Sequence, residues 1–209
     1  MKILFYGDSI TDMGRSRDTD GNAFGYGVGY VNGVVSTLKF ENPEKYEFIN
    51  RGISGNRVVD LYARIKADVW NHEPDVVSIL IGVNDVWHEI FGGNGVEIDR
   101  FERVYRMLIE DTKKRLPNVK FILCEPFVLL GSATEEKYQE FCEVKKYAAV
   151  VKKLAEEYGA AFVALQAKFD EAAEKHGPVH YLYDGVHPDL AGGKLIAEEW
   201  LKAFRAEIE

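Results

Sequence analysis

Cysteine is scarce in this sequence, which has only two, Cys124 and Cys142, among 209 residues. A small domain stapled by disulfides carries many more, so we expect two reduced thiols and a core that forms without cross-links. Long hydrophobic runs are also missing, and the longest, such as 76–83, fall far short of the roughly 18 apolar residues that span a bilayer. No signal peptide is evident after Met1. These features predict a cytoplasmic protein without a membrane partner.

Positive charge is in deficit, with 26 lysine and arginine residues against 34 aspartate and glutamate residues and a net charge of −8. Proteins that bind nucleic acids usually present an excess of positive charge to the phosphate backbone, so we expect no nucleic acid partner. Hydrophobic residues at 46% and charged residues at 29% are typical of a soluble globular chain. The length favours one domain over residues 1–209.

Short runs rich in Val, Ile and Phe alternate along the chain with segments of helical periodicity. Five runs predict β-strands, at 3–6, 46–50, 76–81, 119–124 and 161–165. Helical patterns lie between or after them, at 58–69, 99–116, 135–158 and around 196–204. Strands that alternate with such helices form parallel sheets covered on both faces. We therefore predict an α/β fold, a three-layer α/β/α sandwich with a five-stranded parallel sheet.

Residues of the cap-forming types suggest where two of these helices begin. Asp99 followed by Glu102 is typical of a capping pair at the start of the second helix. Pro188 suits the first position of the last helix, which would make His187 its cap. The long segment 12–29 has neither helical nor strand periodicity, and loops of that length usually have a function.

Polar residues follow the predicted strands at the edge of the sheet where such folds bind ligands. Ser9 follows the first strand, Gly55 the second and Asn84 the third, while Asp184 and His187 precede the last helix. Acyl transfer needs a nucleophile, a base, a group that orients the base, and donors for the oxyanion. We predict Ser9 as nucleophile, His187 as base with Nε2 toward Ser9, and Asp184 at Nδ1. The oxyanion donors would be the backbone N–H groups of Ser9 and Gly55 and the side-chain amide of Asn84.

Four sequence blocks carry a family resemblance: Gly7-Asp8-Ser9, Gly55 within Gly-Ile-Ser-Gly-Asn, Gly82-Val83-Asn84-Asp85, and Asp184-Gly185-Val186-His187. In this order they resemble the SGNH hydrolases, a branch of the GDSL-type esterases and lipases. The resemblance implies a flavodoxin-like sandwich and a catalytic set of Ser9, Gly55, Asn84 and His187. We expect neither a metal nor a cofactor.

A narrower resemblance rests on the extensions of three segments: Gly7-Asp8-Ser9-Ile10-Thr11-Asp12-x-Gly14-Arg15, Gly29-Tyr30-Val31, and Gly82-Val83-Asn84-Asp85-Val86-Trp87. These are similar to the acetylxylan esterase type, which implies removal of acetyl groups from xylose units and frequent homo-oligomers. The partner would be a small acetylated saccharide. Four residues are predicted to bind it: Asp8, Arg15, Tyr26 and Trp87. The polar loop 12–29, with Asp20 among its side chains, suits a hydroxyl-rich substrate.

Other interpretations stay open. An enzyme with the same chemistry could act on lipids, as a lysophospholipase or a thioesterase, and the apolar segment 127–130 would suit it. A non-catalytic module that binds a carbohydrate or a phosphate could keep the fold, since helix N-termini bind anions. Asp184 and His187 could also be metal ligands, with His176 and His180 near them in sequence, although no familiar ligand spacing is present.

Overall fold

A five-stranded parallel sheet forms the centre of the computed structural model, which describes residues 1–18 and 22–209. Its strands are β1 (Lys2–Gly7), β2 (Glu47–Gly52), β3 (Val76–Leu80), β4 (Lys120–Cys124) and β5 (Ala161–Val163). The spatial order is β2-β1-β3-β4-β5. The chain steps from β1 to β2 on one side and then to β3 on the other. The switch point where such sheets bind ligands therefore lies between the carboxyl ends of β1 and β3.

Helices cover both faces of this sheet, as the alternating pattern predicts. The described helices are α1 (Ser9–Asp12), α2 (Tyr30–Glu41), α3 (Val58–Asp68), α4 (Val83–Gly92), α5 (Ile98–Arg115), α6 (Tyr138–Phe141), α7 (Val144–Tyr158), α8 (Gln166–His176) and α9 (Leu190–Glu207). Helix α2 packs on α9, whereas α3 packs on α5 and α5 on α7. The three-layer sandwich is thus confirmed, and no described helix is long and apolar enough to cross a membrane.

The core between β1, β3 and α9 is aromatic. Trp200 of α9 is fully buried, with its ring centroid 5.3 Å from that of Phe5. Its indole N–H donates to Ser78 Oγ of β3 at 2.9 Å. The polar atoms of both buried side chains are therefore hydrogen-bonded to each other. Cys124 is buried nearby and, like Cys142, is a free thiol.

Two predicted helix starts are wrong. The last helix begins at Leu190, and Asp189 caps it by accepting the Leu190 N–H at 2.7 Å. His187 lies before that cap because Pro188 pairs with Leu182 in an isolated β-bridge. Helix α5 follows Glu97 with no capping side chain, which places Asp99 within its first turn. There its negative charge interacts favourably with the positive end of the helix dipole, although its side chain does not cap the helix.

The predicted helix 135–158 is interrupted. It begins as a 3₁₀ turn, Glu135–Lys137, continues in α6 and restarts as α7. The segment 12–29 contains a further 3₁₀ turn, Ala23–Tyr26, and Asn22 Oδ1 caps it by accepting from the N–H groups of two of its residues at 3.0 and 3.3 Å. Asp20 of the predicted polar loop lies outside the described residues.

Candidate active site

Ser9 opens the first turn after β1, at the carboxyl edge of the sheet. Asp8 caps that turn, since its Oδ1 accepts the Ile10 N–H at 3.0 Å. The preceding Gly7 has no room for a side chain, because a Cβ there would lie 2.5 Å from the Leu80 carbonyl oxygen. This close packing of β1 on β3 fixes where the serine hydroxyl emerges. Ser9 Oγ lies 2.8 Å from His187 Nε2.

His187 is oriented from its other ring nitrogen. Its Nδ1 lies 2.7 Å from Asp184 Oδ2, while Asp184 Oδ1 accepts the backbone N–H groups of Val186 and His187 at 2.9 and 2.8 Å. The hydrogen bond to Asp184 raises the pKa of His187 despite partial burial, and Asp8 adds a smaller electrostatic contribution. Burial opposes ionisation of Asp184, but these hydrogen bonds outweigh it and lower its pKa. The arrangement favours an imidazolium paired with a carboxylate.

The loop that carries Asp184 and His187 is held by the segment after β4. Ala133 N–H donates to the Asp184 carbonyl at 2.9 Å, and Leu129 N–H donates to the Gly185 carbonyl at 2.8 Å. Gly185 has a φ of +97°, and a Cβ there would meet Leu129 O at 2.6 Å. A glycine is required at this position because both the backbone conformation and the contact exclude a side chain.

The predicted oxyanion donors line the same cavity as Ser9. Gly55 has a φ of +81°, and a Cβ added to it would meet nothing within 4 Å, so its backbone faces open space. Asn84 lies in the first turn of α4, and its Nδ2 donates to the Asn56 carbonyl at 3.1 Å. An amide nitrogen carries two hydrogens, so the second can still donate to a ligand.

The cavity beside Ser9 has a volume of about 590 Å³. Its wall contains Ser9, Met13, Gly14, Val28, Ser54, Gly55, Asn84, Trp87, His88, Tyr183 and His187. Two aromatic rings flank the imidazole of His187: Tyr183 stacks on it at 5.8 Å and 17°, and Trp87 lies 6.1 Å away. Trp87 is supported edge-to-face by Phe141 at 5.4 Å, and Phe141 is fully buried.

The sequence reasoning did not single out Tyr183 or His88, which also line the cavity. The position of Tyr183, directly before the Asp184 block, was the available signal. His88 directly follows Trp87 in the sequence and lies with it on α4. Burial lowers the pKa of His88, and the nearby Arg57 lowers it further.

Of the four residues predicted to bind substrate, Trp87 lies in the cavity wall and the other three do not. Asp8 is 1% exposed and caps α1. Arg15 is buried and donates from Nε to the Gly52 carbonyl at 2.9 Å. Tyr26 is buried, with its ring edge-to-face on Phe48. Asp8 thus supports the turn that carries Ser9, whereas Arg15 and Tyr26 hold the loop against β2, and a part of these three in substrate binding stays a prediction.

Two buried carboxyl groups lie next to the candidate oxyanion residues in sequence. Asp8 precedes Ser9, and its Oδ2 has no hydrogen-bond partner from any other described residue. Burial raises its pKa to about 7. Asp85 follows Asn84, is fully buried and accepts the Val58 N–H at 3.0 Å. Burial raises the pKa of Asp85 to about 8 despite that hydrogen bond, and the Asp8 charge adds to the shift. Among residues 1–18 and 22–209, no three His, Cys, Asp or Glu side chains cluster as metal ligands would.

Comparison with known proteins identifies the family. Residues 5–195 match the model of the GDSL-like lipase/acylhydrolase family. The chain belongs to this family. It is 39% identical over 212 residues to an acetylxylan esterase of Geobacillus stearothermophilus, covering 99% of this chain and 94% of the relative. The resemblance drawn from the four blocks is therefore confirmed, and the protein is a carboxylic ester hydrolase of this family.

Solved structures agree. A structure of that acetylxylan esterase superposes with a TM-score of 0.87 at 41% identity, over 97% of this chain and 93% of the other. A Parabacteroides merdae protein described as GDSL-like lipase gives 0.90 at 41%, over 97% and 94%. Other structures of the esterase are catalytic mutants in which a serine, an aspartate or a histidine is replaced by alanine. In them the aspartate precedes the histidine by three residues, the spacing of Asp184 and His187 here.

Proposed function

We propose that the protein is a serine esterase that removes acetyl groups from xylose-type saccharides through an acyl-enzyme. The observation that carries the chemistry is the continuous hydrogen-bonded chain from Ser9 Oγ to His187 Nε2 at 2.8 Å and from His187 Nδ1 to Asp184 Oδ2 at 2.7 Å. Ser9 and His187 lie in the wall of a cavity that Gly55 and Asn84 also line. The acetylated saccharide as substrate is supported by the 39% identical relative, an acetylxylan esterase.

The proposed reaction uses each of these residues in turn. Ser9 Oγ attacks the ester carbonyl carbon while His187 Nε2 takes its proton, and the negative charge of Asp184 stabilises the imidazolium. The carbonyl oxygen becomes an oxyanion that accepts from Ser9 N–H, Gly55 N–H and the Asn84 amide. His187 then protonates the leaving alcohol, and an acetyl-serine remains. Water activated by His187 attacks this ester and releases acetate.

The environment of Trp87 supports a small acyl group. The indole is held between the imidazole of His187 and the buried ring of Phe141, with Phe91 at 6.3 Å. A ring that is packed on several sides moves little when a ligand binds. Trp87 can therefore close the acyl end of the cavity to long acyl chains.

The segment that favoured a lipid substrate faces the core. Phe127, Val128 and Leu129 are all at most 4% exposed, and only Leu130 of this segment reaches solvent. Phe127 packs on Phe169 at 4.4 Å. The first three residues therefore stabilise the interior, and the single exposed Leu130 does not make a contiguous apolar surface for a lipid.

A rate series tests the proposal. We expect kcat/KM for aryl esters to fall from acetate to octanoate, and acetate to be released from acetylated xylose. The Ser9→Ala variant is the control for both assays. Preference for octanoate with no acetate released from the sugar would support a lysophospholipase or thioesterase instead. Absence of fluorophosphonate labelling at Ser9 would support a non-catalytic binding module.

We also propose that the protein forms homo-oligomers and acts in the cytoplasm. The acetylxylan esterase type is frequently oligomeric, and free thiols such as Cys142, which is partly exposed, suit a reducing compartment. Light scattering would give the mass in solution, and cell fractionation would locate the protein.

A further inference from the structure

The proton transfer to the leaving alcohol determines where the saccharide must lie. His187 Nε2 gives its proton to the leaving oxygen, so the sugar hydroxyl has to be within hydrogen-bond reach of that nitrogen. The chain leaves His187 through Pro188 and Asp189 into α9, and Leu190 is its first helical residue. The surface next to Leu190 is therefore close to the leaving-group side of the cavity.

A groove begins at this point. It lies between α2 and α9, has a volume of about 320 Å³ and extends along the outer surface of both helices. Val28 and Leu190 are at one end, and Thr37 and Leu201 line it farther along. At a rise of 1.5 Å per residue, the stretch of α2 that lines it, from Asn32 to Thr37, is about 8 Å long, and the stretch of α9 from Leu190 to Leu201 is about 16 Å long. Val28 also lines the cavity that contains Ser9, so the groove adjoins that cavity at this residue.

The helices approach closely under this groove, which gives it a floor of small residues. A Cβ added to Gly33 would lie 3.0 Å from Ala197 Cβ, and one added to Gly193 would lie 3.5 Å from Tyr30 N. The space above the floor is therefore left open by residues that have little or no side chain.

The lining matches the chemistry of a neutral sugar. Val28 and Leu190 are 70% and 78% exposed, which provides apolar surface for the C–H faces of a pyranose ring. Ser36 adds a hydroxyl that donates to the Gly33 carbonyl at 3.1 Å and still has acceptor capacity. The two charges of the lining, Lys194 and Glu198, pair at 2.8 Å and cancel. A neutral ligand with hydroxyl groups fits this surface better than an anionic one.

We propose that the groove between α2 and α9 is a subsite for the further sugar units of an acetylated oligosaccharide, whose acetylated unit lies at Ser9. The inference rests on the proposed deacetylase function and adds where the rest of the leaving saccharide binds. It requires that the enzyme prefers oligosaccharides to single sugars and that the groove produces this preference.

Two groove variants test the subsite in opposite ways. Ser36→Trp fills the groove from an exposed position on α2, and Leu190→Ser removes its apolar platform. Lys152→Trp, at an exposed position of α7, is the matched control for a new surface indole. Each protein is assayed with an aryl acetate, acetylated xylose and acetylated xylotriose.

We expect kcat/KM for the aryl acetate and acetylated xylose to stay within about twofold of wild type in all three variants. For acetylated xylotriose, we expect a loss of about tenfold in Ser36→Trp, equivalent to about 1.4 kcal/mol, and a smaller loss in Leu190→Ser. Lys152→Trp should match wild type. Unchanged aryl acetate turnover reports that each variant is folded.

Several results would overturn the proposal. Equal activity of the groove variants and wild type on xylotriose, with wild type active on acetylated xylose, would reject the subsite and leave the proposed function intact. Hydrolysis of aryl acetate but of no acetylated saccharide would reject the substrate class and the subsite together. A change in mass by light scattering without a change in chain-length preference would show that the groove is a contact between copies of this chain.

Discussion

Asp184 holds His187 through both carboxylate oxygens, with Oδ2 2.7 Å from the ring Nδ1 and Oδ1 accepting the backbone N–H of the same residue at 2.8 Å. The side chain and the backbone of the histidine are thus fixed by one group. Rotation of the imidazole would break the first contact, and movement of the loop would break the second. The 2.8 Å distance from His187 Nε2 to Ser9 Oγ depends on both.

Replacement of Asp184 by Asn should therefore change the pH dependence as well as the rate. The hydrogen bond and the charge of Asp184 raise the pKa of His187, and His187 must be neutral to accept the serine proton. Without the negative charge this pKa falls, so the acid limb of kcat/KM against pH should move to lower pH. We expect kcat to fall by roughly 10³- to 10⁴-fold. An acid limb at the wild-type position would contradict this role.

Loss of the nucleophile should be more severe. Ser9→Ala should lower kcat by roughly 10⁶-fold with little change in thermal stability, because the nucleophilic hydroxyl is small and lies at a cavity wall. His187→Ala should be similar. Ser54→Ala is the matched control, since Ser54 lines the same cavity but bonds to Asp12 Oδ2. Fluorophosphonate labelling should disappear in Ser9→Ala and persist in Ser54→Ala, and the reverse result would exclude Ser9 as nucleophile.

The oxyanion role of Asn84 predicts an effect on kcat. Its amide is fixed by the Asn56 carbonyl at 3.1 Å, so the remaining N–H is positioned before substrate binds. Asn84→Ala should lower kcat by roughly 10²- to 10³-fold with a smaller change in KM. Asn56→Ala keeps the backbone carbonyl and loses only a side chain that accepts from Arg64, so its kcat should stay near wild type. A change confined to KM in Asn84→Ala would place this amide in substrate binding.

Hydrophobic periodicity was sufficient to predict all five strands, because buried parallel strands such as β3 are continuous apolar runs. It missed α2, whose Asn32-Gly33 pair has low helix propensity and whose helical state depends on packing against α9. The cap assigned to His187 failed because a β-bridge of Pro188 competes with the helix. Contacts of this kind join residues from different parts of the fold and leave no local pattern.

The buried positions of Arg15 and Tyr26 could not be predicted from the sequence either. Both belong to a loop that looks polar in sequence, yet the structure directs them inward against β2 and its end. By contrast, Asp184 and His187 could be placed because their separation of three residues lets a carboxylate reach Nδ1 within one turn.

The buried carboxyl of Asp8 predicts a loss of stability as the pH rises from acid toward neutral. Its pKa is raised from 3.8 to about 7 in the folded state, so between these values the folded protein binds a proton that the unfolded chain has released. The free energy of unfolding from this group should fall by roughly 1.4 kcal/mol per pH unit from pH 5 to pH 7. Asp8→Asn keeps the cap and removes the charge, so its stability should decline less over this range. Asp189→Asn changes an exposed cap, so its free energy of unfolding should depend on pH as that of wild type does. The same pH dependence in Asp8→Asn and wild type would contradict the prediction.

Trp87 should set the length of the acyl chain. Its indole lines the cavity one helical turn from Asn84 and is supported by the buried ring of Phe141, so it cannot swing aside to admit a longer chain. Trp87→Ala opens that space, and the ratio of kcat/KM for octanoate to kcat/KM for acetate aryl esters should rise by about tenfold or more, since each added methylene that is buried contributes about 0.8 kcal/mol. Activity on acetate should fall only moderately, because Ser9 and His187 are untouched. Phe40→Ala is the control, since Phe40 is an exposed aromatic side chain on α2 that is not among the residues of the cavity wall. If the ratio is the same in Trp87→Ala and wild type, other residues close the acyl end of the cavity. Trp87 would then contact the leaving group instead of the acyl chain.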